Sequence, residues 1–182
     1  MPHRFPAVLF STFALLAGAP SAHALDLHGA SIETASGNDT RMLRVGLQRD
    51  IGRTWFRSGG RHLGAYWDLT LAGWRGDAYR DHPGVRQNLT DLGLTPVFRY
   101  RRDDRLGWYG EAGIGVHHLS GHYDNGGEQL STRFQFGDHL GAGYVFANGL
   151  DLGVKFQHFS NGGVKEPNGG VNFLVLKAGF PF

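Results

Sequence analysis

The chain has 182 residues, with 18 Lys and Arg against 16 Asp and Glu, no cysteine, 29 glycines and 13% aromatic residues. That length suits one domain. Because the formal charge is only +2, the chain lacks the strong excess of basic residues typical of nucleic-acid binding, and we expect no nucleic-acid partner. The lack of cysteine excludes a disulfide framework, a thiol nucleophile and a zinc site built on cysteine. The abundance of glycine and aromatic residues favours a fold made of many short strands.

The first 24 residues have the features of a secretory signal peptide. Arg4 is the only charged side chain before the apolar run at residues 7–17, and Ala22 and Ala24 supply the small residues of a cleavage site. The run is too short to cross about 30 Å of hydrocarbon as a helix. We therefore expect residues 1–24 to be a cleaved signal peptide and residues 25–182 to be the exported domain.

Beyond the signal peptide the dominant hydrophobic period is two, which is the period of a strand with one apolar face. The segment at residues 150–157, for example, alternates Leu, Val and Phe with Asp, Gly, Lys and Gln. Short turns such as Asn148-Gly149 alternate with longer polar loops along the chain. The pattern predicts eight strands, at residues 26–37, 41–57, 61–75, 87–101, 107–117, 131–147, 150–160 and 171–182.

An even number of strands, with short turns at one end and longer loops at the other, is typical of a bacterial outer-membrane barrel. We therefore predict an all-β fold, an eight-stranded antiparallel transmembrane β-barrel that crosses the outer membrane several times. A soluble lipocalin-like barrel is the alternative, and it would direct its apolar face inward. Aromatic residues near the strand ends, including Trp67, Trp108 and Phe182, favour the membrane barrel because such residues form girdles at both membrane interfaces.

The sixth predicted strand departs from this pattern at one position. Asp138 has the same parity as Phe136 and Leu140, so a regular strand would place its carboxylate among lipid-facing apolar side chains. We expect a β-bulge that turns Asp138 away from the lipid. Glu111 and Lys155 have the opposite parity to their apolar neighbours and are predicted to face inward, within a polar plug of a barrel too narrow for a channel.

Two polar residues continue the lipid-facing side of the seventh predicted strand. After Phe156 the same face carries His158 and Ser160, and the apolar face of the eighth strand leads back to Asn172. Because these strands are antiparallel neighbours, His158 and Asn172 can lie opposite each other. A hydroxyl, a base and a group that orients the base are what nucleophilic catalysis requires. Odd-numbered strands run outward from a periplasmic N-terminus, so this group is expected at the extracellular rim, where the outer leaflet presents acyl esters.

The segment at residues 158–162 (HFSNG), together with residues 163–171, resembles the signature of the PagL family of outer-membrane lipid A 3-O-deacylases. The likeness extends to residues 61–76, 94–100, 111–116, 138–149 and the closing strand. The resemblance implies an eight-stranded barrel whose His-x-Ser pair faces the lipid and removes the 3-O-linked acyl chain of lipid A. It also implies that lipid A, or lipopolysaccharide, is the substrate among the outer-membrane lipids and that no cofactor or metal is required.

The same resemblance implies roles for the residues of the site. Ser160 matches the nucleophile and His158 matches the general base. Where the family pattern has a Glu as the third member, this chain has Asn172, whose amide oxygen can orient the imidazole but brings no negative charge. Glu166, on the following loop, is an alternative source of a carboxylate.

Residues of the loop after Ser160 are expected to position the substrate and its oxyanion. Asn161 and Asn168 match asparagines of the family, and the second of these is implicated in binding the oxyanion. The backbone N–H groups of Gly162 and Gly163 are further donors, since glycine lets the backbone approach a substrate closely.

Two other functions compete with the deacylase. One is an esterase of the outer-membrane phospholipase A type, which also carries a His-x-Ser-Asn-Gly segment and an Asn at a similar distance, although that family has twelve strands and depends on calcium. The other is a non-catalytic structural barrel. A homodimer is also left open, because a dimer contact on the lipid-facing side could cover the site.

Overall fold

The protein is described by a computed structural model covering residues 26–182, and the predicted signal peptide at residues 1–24 lies outside the described residues. Residues 26–182 contain no helix long and apolar enough to cross a membrane. The described strands are β1 (Gly29–Gly37), β2 (Thr40–Ser58), β3 (Arg61–Gly76), β4 (Gln87–Arg102), β5 (Gly107–Leu119), β6 (Tyr123–Asn125), β7 (Glu128–Leu130), β8 (Phe134–Val145), β9 (Asp151–Ser160) and β10 (Val171–Pro181).

Eight of these strands close a barrel in the order β1-β10-β9-β8-β5-β4-β3-β2, and every neighbouring pair is antiparallel. The predicted all-β, eight-stranded antiparallel barrel is therefore confirmed. The remaining strands, β6 and β7, form a separate hairpin inside the connection between β5 and β8. The sequence predicted only a polar loop there.

The barrel wall is apolar outside and charged inside. Large exposed apolar side chains cover the outer face, among them Leu43, Val45, Leu69, Leu71, Ile114, Leu140, Val154, Phe156, Leu174 and Leu176. In the lumen, Glu33 pairs with Arg44 and with Lys155, whose Nζ lies 2.6 Å from Glu33 Oε1. Glu111 is also buried, so the predicted inward direction of Glu111 and Lys155 is confirmed. A water-soluble barrel has the opposite arrangement, so the lipocalin-like alternative is rejected.

The connections define the two ends of the barrel. The turns after β2, β4 and β8 are short and lie at the same end as both termini of the barrel, whereas residues 77–86, 120–133 and 161–170 form longer loops at the opposite end. In outer-membrane barrels the short turns are periplasmic and the longer loops are extracellular. The C-terminal end of β9 and the N-terminal end of β10 therefore lie at the extracellular rim.

Asn125 ties the extracellular loops together. Its side chain is fully buried, and its Oδ1 accepts a hydrogen bond from the backbone N–H of Ala78 at 2.7 Å. Its Nδ2 donates to the carbonyl oxygens of Asn38 and Asp39 at 3.0 and 3.2 Å. The hydroxyl of Tyr123 also donates to Asn38, at 3.1 Å. The β6–β7 hairpin is thus fixed to two other connections by polar contacts between residues far apart in the sequence.

The register of β8 is continuous with both of its neighbours, and the predicted bulge at Asp138 is wrong. Asp138 faces outward and is exposed. The reason lies in the alternate residues of the strand, whose side chains point inward: Gln135 and His139 fill the lumen. Between them, Gly137 leaves room for the ring of His117, because a Cβ at this position would lie 2.7 Å from the imidazole. Interior packing therefore fixes the register and leaves the carboxylate on the outer face.

Candidate active site

Alternation along β9 sets the direction of the candidate catalytic side chains. Phe159 is completely buried inside the barrel, with its ring centroid 4.8 Å from that of Trp74 and 4.9 Å from that of His117. Successive side chains of a strand point to opposite faces. The burial of Phe159 therefore directs His158 and Ser160 outward, where both are half-buried at the extracellular end of the strand.

His158 lies directly opposite Asn172 in the register of β9 and β10, which is the adjacency expected from the sequence. Its Nδ1 is 2.8 Å from the Oδ1 of Asn172. Because an amide oxygen only accepts hydrogen bonds, the imidazole donates through Nδ1–H and keeps a lone pair on Nε2. The backbone N–H of Asn172 donates to the Oδ1 of Asn38 at 2.8 Å, so the β1–β2 turn supports the residue that orients the imidazole.

The imidazole extends toward the rim, next to Gly170. A Cβ added to Gly170 would lie 2.6 Å from His158 Cε1 and 3.4 Å from Nε2, so only glycine leaves space for the ring. Ser160 is on the same face as His158, two residues further along the strand. Within residues 26–182 no hydrogen bond joins Ser160 Oγ to His158. Such bonds are often long without substrate and tighten when it binds.

The loop after Ser160 is held by the side chain of Asn161. Asn161 is fully buried, and its Nδ2 donates to the carbonyl oxygen of Lys165 at 2.6 Å. Its backbone N–H donates to the Oδ1 of Asn168 at 2.9 Å. The side chain of Asn161 therefore orders the loop and does not face an acyl group outside the barrel.

Three other donors of this loop have no partner within the described residues. Gly162 and Gly163 have φ angles of +67° and +76°, in the region that favours glycine, and their backbone N–H groups make no hydrogen bond within residues 26–182. The Nδ2 of Asn168 likewise makes none there. Unpaired donors close to a nucleophile are the components of an oxyanion hole.

The structure also shows whether Glu166 could serve as the carboxylate of the site and whether side chains that could bind a metal lie together. Glu166 is exposed, and within the described residues it forms no hydrogen bond or ion pair with His158. In the part of the chain that the structure describes, no group of three or more His, Cys, Asp or Glu side chains is arranged to hold a metal ion.

The sequence analysis did not expect Asp138 to lie beside this group. In the register of β8 and β9, Asp138 lies directly opposite His158, on the side of the imidazole away from Asn172. The signal for this outward position is the parity that Asp138 shares with Phe136 and Leu140.

The barrel is apolar outside and charged inside, and it carries an outward Ser-His-Asn group at its extracellular rim. These two features define the class: an outer-membrane β-barrel with the residues of a hydrolase on its lipid-facing wall. A family model described as "Lipid A 3-O-deacylase (PagL)" matches residues 41–181. The chain belongs to the PagL family, and it is an outer-membrane barrel enzyme.

Individual relatives agree with this assignment. The lipid A deacylase PagL of Pseudomonas aeruginosa is 34% identical over 167 residues, covering 90% of this chain and 92% of the relative. The lipid A deacylase PagL of Bordetella bronchiseptica is 32% identical over 143 residues, or 76% of each chain. A crystal structure of the outer membrane enzyme PagL superposes with a TM-score of 0.70 and 30% identity, covering 86% of this chain and 99% of that one. The Yersinia pestis outer membrane protein Ail superposes with a TM-score of 0.53 and 11% identity, covering 86% of this chain and 99% of that one. This similarity concerns the fold only.

Proposed function

We propose that this chain is a lipid A 3-O-deacylase, a serine esterase that hydrolyses the 3-O-linked acyl chain of lipid A in the outer leaflet. One observation carries the proposal: His158 and Ser160 face outward at the extracellular rim, and Asn172 lies 2.8 Å from the imidazole. An ester at the boundary between hydrocarbon and headgroup can reach this position from the side of the barrel. Membership of a family described by this reaction supports lipid A as the substrate.

In the proposed acylation step, Nε2 of His158 takes the proton of Ser160 Oγ while that oxygen attacks the acyl carbonyl carbon. Asn172 keeps the imidazole oriented through Nδ1–H. The developing oxyanion receives hydrogen bonds from the N–H groups of Gly162 and Gly163 and from the Nδ2 of Asn168. When the tetrahedral intermediate collapses, the bond between the acyl carbon and the sugar oxygen breaks. The imidazolium then gives its proton to the leaving 3-hydroxyl group.

In the proposed deacylation step, His158 removes a proton from water, and the resulting hydroxide attacks the acyl-enzyme. Collapse of the second intermediate releases the fatty acid, and the imidazolium returns a proton to Ser160 Oγ. The products are a free fatty acid and lipid A with a free 3-hydroxyl group. Side chains and amides of this chain, together with water, carry every step.

We also propose that residues 1–24 are removed on export, leaving residues 25–182 as the barrel domain.

A homodimer stays a proposal as well. An active dimer has to leave the β8–β10 wall open, because this wall carries Ser160. A dimer formed through the β8–β10 wall would be latent, and cross-linking in intact outer membranes with and without activity measurements distinguishes the two arrangements.

Mass spectrometry of lipid A from cells expressing the wild type, Ser160→Ala or Ser58→Ala tests the function. Ser58 is a matched control because it is an exposed serine at the periplasmic end of β2. We expect loss of one 3-hydroxyacyl chain with the wild type and Ser58→Ala, and unchanged lipid A with Ser160→Ala. Unchanged lipid A in cells that hold folded wild-type protein would contradict the proposal, and release of lysophospholipids would instead indicate a phospholipase.

A further inference from the structure

A basic cleft opens at the periplasmic mouth of the barrel, at the end opposite to Ser160. One part of it, of about 220 Å³, reaches into the lumen, and another, of about 460 Å³, lies beside residues 49–54 of β2. The two parts adjoin, and the residues that line both define what we call the periplasmic cleft: His28, Asp50, Arg101 and Arg105. None of these residues takes part in the chemistry proposed at Ser160.

The lining of the periplasmic cleft has an excess of positive charge. At its luminal end the charges are balanced, since Arg99 donates to Glu111 and to Asp151, both at 2.9 Å. Toward the periplasm, the described residues of the lining include four arginines and two aspartates: Arg49, Arg53, Arg101, Arg105, Asp26 and Asp50. A concave surface with this imbalance attracts anions.

Two of the arginines share a single carboxylate. The Nη2 of Arg105 lies 3.0 Å from the Oδ2 of Asp50, and the Nη2 of Arg101 lies 3.7 Å from the same oxygen. The longer distance exceeds that of a hydrogen bond. The side chain of Arg101 is only 15% exposed, and its Nε is buried with no hydrogen-bond partner within residues 26–182. A buried donor without an acceptor is costly, and a bound anion supplies the acceptor.

Aromatic side chains of β5 and β8 place the periplasmic cleft at the depth of lipid headgroups. The ring centroid of Tyr144 lies 5.2 Å from that of Trp108 and 4.9 Å from that of Phe146. Such aromatic groups mark the membrane interface of an outer-membrane barrel. Val145, between Tyr144 and Phe146, lines the cleft together with Leu106. The cleft therefore lies where phospholipids of the periplasmic leaflet carry their phosphate groups.

We propose that the periplasmic cleft binds a phosphate ester through Arg101 and Arg105. Guanidinium groups bind phosphate oxygens in a bidentate manner, and a phosphate has enough oxygens for two arginines. Asp50 neutralises one of the two positive charges, and the phosphate neutralises the other. The ester is either the headgroup of a phospholipid in the periplasmic leaflet or a soluble phosphate ester of the periplasm. This site is independent of the proposed esterase.

The first test is calorimetric titration of sn-glycerol 3-phosphate into the folded barrel in a maltoside detergent, which carries no phosphate. The wild type and Ser160→Ala should show the same saturable binding at one site. Arg101→Gln and Arg105→Gln should each weaken it about tenfold or more, because each removes charge-assisted hydrogen bonds. Arg102→Gln is the matched control, since Arg102 is the exposed neighbour of Arg101 and pairs with Asp104 at 2.7 Å. It should bind as the wild type does.

The second test predicts a gain of affinity. Asp50→Asn removes the carboxylate that competes with the phosphate, so binding should tighten about fivefold, as expected for removal of a like charge about 4 Å away in water. The amide oxygen of Asn can still accept the hydrogen bond that Asp50 Oδ1 accepts from the Gly52 N–H at 2.8 Å. A variant that merely disturbed the structure would bind more weakly. Mobility of unheated samples in SDS gels verifies that each barrel is folded.

A third measurement observes the guanidinium directly. In ¹⁵N-arginine-labelled protein, the Nε–H resonance of Arg101, assigned by Arg101→Gln, should shift as sn-glycerol 3-phosphate is added. An unmoved resonance, no saturable binding by the wild type, or an equal loss in Arg102→Gln and Arg101→Gln would each overturn the proposal. So would unchanged or weaker binding by Asp50→Asn.

Native mass spectrometry separates the two sources of the phosphate. The proteins are purified from vesicles of phosphatidylglycerol. One lipid retained by the wild type and by Arg102→Gln, but lost from Arg101→Gln, identifies the ligand as a phospholipid headgroup. Saturable binding of sn-glycerol 3-phosphate with no retained lipid identifies it as a soluble phosphate ester.

Discussion

The ring centroid of Phe159 lies 4.8 Å from that of Trp74 inside the barrel, on the side of β9 opposite to His158 and Ser160. Phe173 of β10 adds a second edge-to-face contact, with its ring 5.0 Å from that of Trp74. The same cluster therefore anchors the strand that carries the proposed nucleophile and the strand that carries Asn172. Packing inside the barrel holds the geometry of a site outside it.

Phe159→Ala should lower the free energy of unfolding by about 3–5 kcal/mol, because it leaves a cavity among the rings of this cluster. Activity should fall as well, since β9 loses the contact that fixes its direction at the rim. Equilibrium unfolding in urea with detergent-refolded protein measures the first effect. Phe56→Ala is the control: Phe56 is 80% exposed on β2 and its removal should leave stability nearly unchanged. Equal stability of the two variants would contradict the role of the cluster.

Gly170→Ala should abolish most of the activity while the barrel still folds. The added methyl group would lie 2.6 Å from Cε1 of His158, at a residue whose φ is +80°. Gly84→Ala separates the two effects, because Gly84 has a φ of +82° and nothing within 4 Å of its added Cβ. Both variants pay the backbone strain of about 1–2 kcal/mol, and only Gly170→Ala displaces the imidazole. Comparison of kcat for the two proteins measures the displacement, and equal values would show that the clash is without consequence.

Asn125→Ala should loosen the extracellular loops without opening the barrel. The change removes the partner of the Ala78 N–H, and a buried polar group left unpaired costs about 1–3 kcal/mol. The carbonyls of Asn38 and Asp39 lose one donor each but keep the hydrogen bonds from the Tyr123 hydroxyl and the Asp77 N–H. Limited proteolysis of intact cells should cleave the variant in the loops faster than the wild type. Asn148→Ala, in a periplasmic turn, should show the wild-type rate, and unchanged cleavage of Asn125→Ala would argue against this contact as the main tie.

Glu33→Ala should destabilise the barrel by about 3–5 kcal/mol, because it leaves Arg44 and Lys155 as unpaired charges in the lumen. Asp77→Ala provides the comparison, since its partners Arg41, Arg75 and Arg86 are all exposed and each such surface pair contributes only about 0–1 kcal/mol. Urea unfolding of both variants measures the difference. Similar stabilities would mean that water reaches the luminal charges.

The sequence predicted the barrel and the core of the site because both depend on the period of two. Alternation determines which residues face lipid, and it correctly predicts that His158 lies opposite Asn172. The same rule led to an error at Asp138, where an acid on an apolar face was interpreted as a bulge. Only the interior partners of β8, such as His117 against Gly137, show that the register is regular.

The β6–β7 hairpin could not be predicted because its strands are too short to show a period. Its position depends on Asn125 and Tyr123, whose partners in the β1–β2 turn lie more than eighty residues earlier in the chain. Contacts over such separations leave no local pattern. The role of Asn161 was hidden for a different reason: its Nδ2 donates to the carbonyl of Lys165 within the same loop, and the conformation of an irregular loop leaves no periodic pattern in the sequence.

The placement of Ser160 on the outer wall has a consequence for how turnover depends on concentration. A substrate that reaches the site from the side travels by diffusion in two dimensions within one leaflet, so the relevant quantity is molecules per unit area of membrane, not per volume of solution. Rates should therefore respond to the mole fraction of lipid A in a vesicle and be indifferent to the volume of buffer around it. The acyl chain that leaves is already in hydrocarbon, and lateral crowding of the membrane becomes a control on the enzyme.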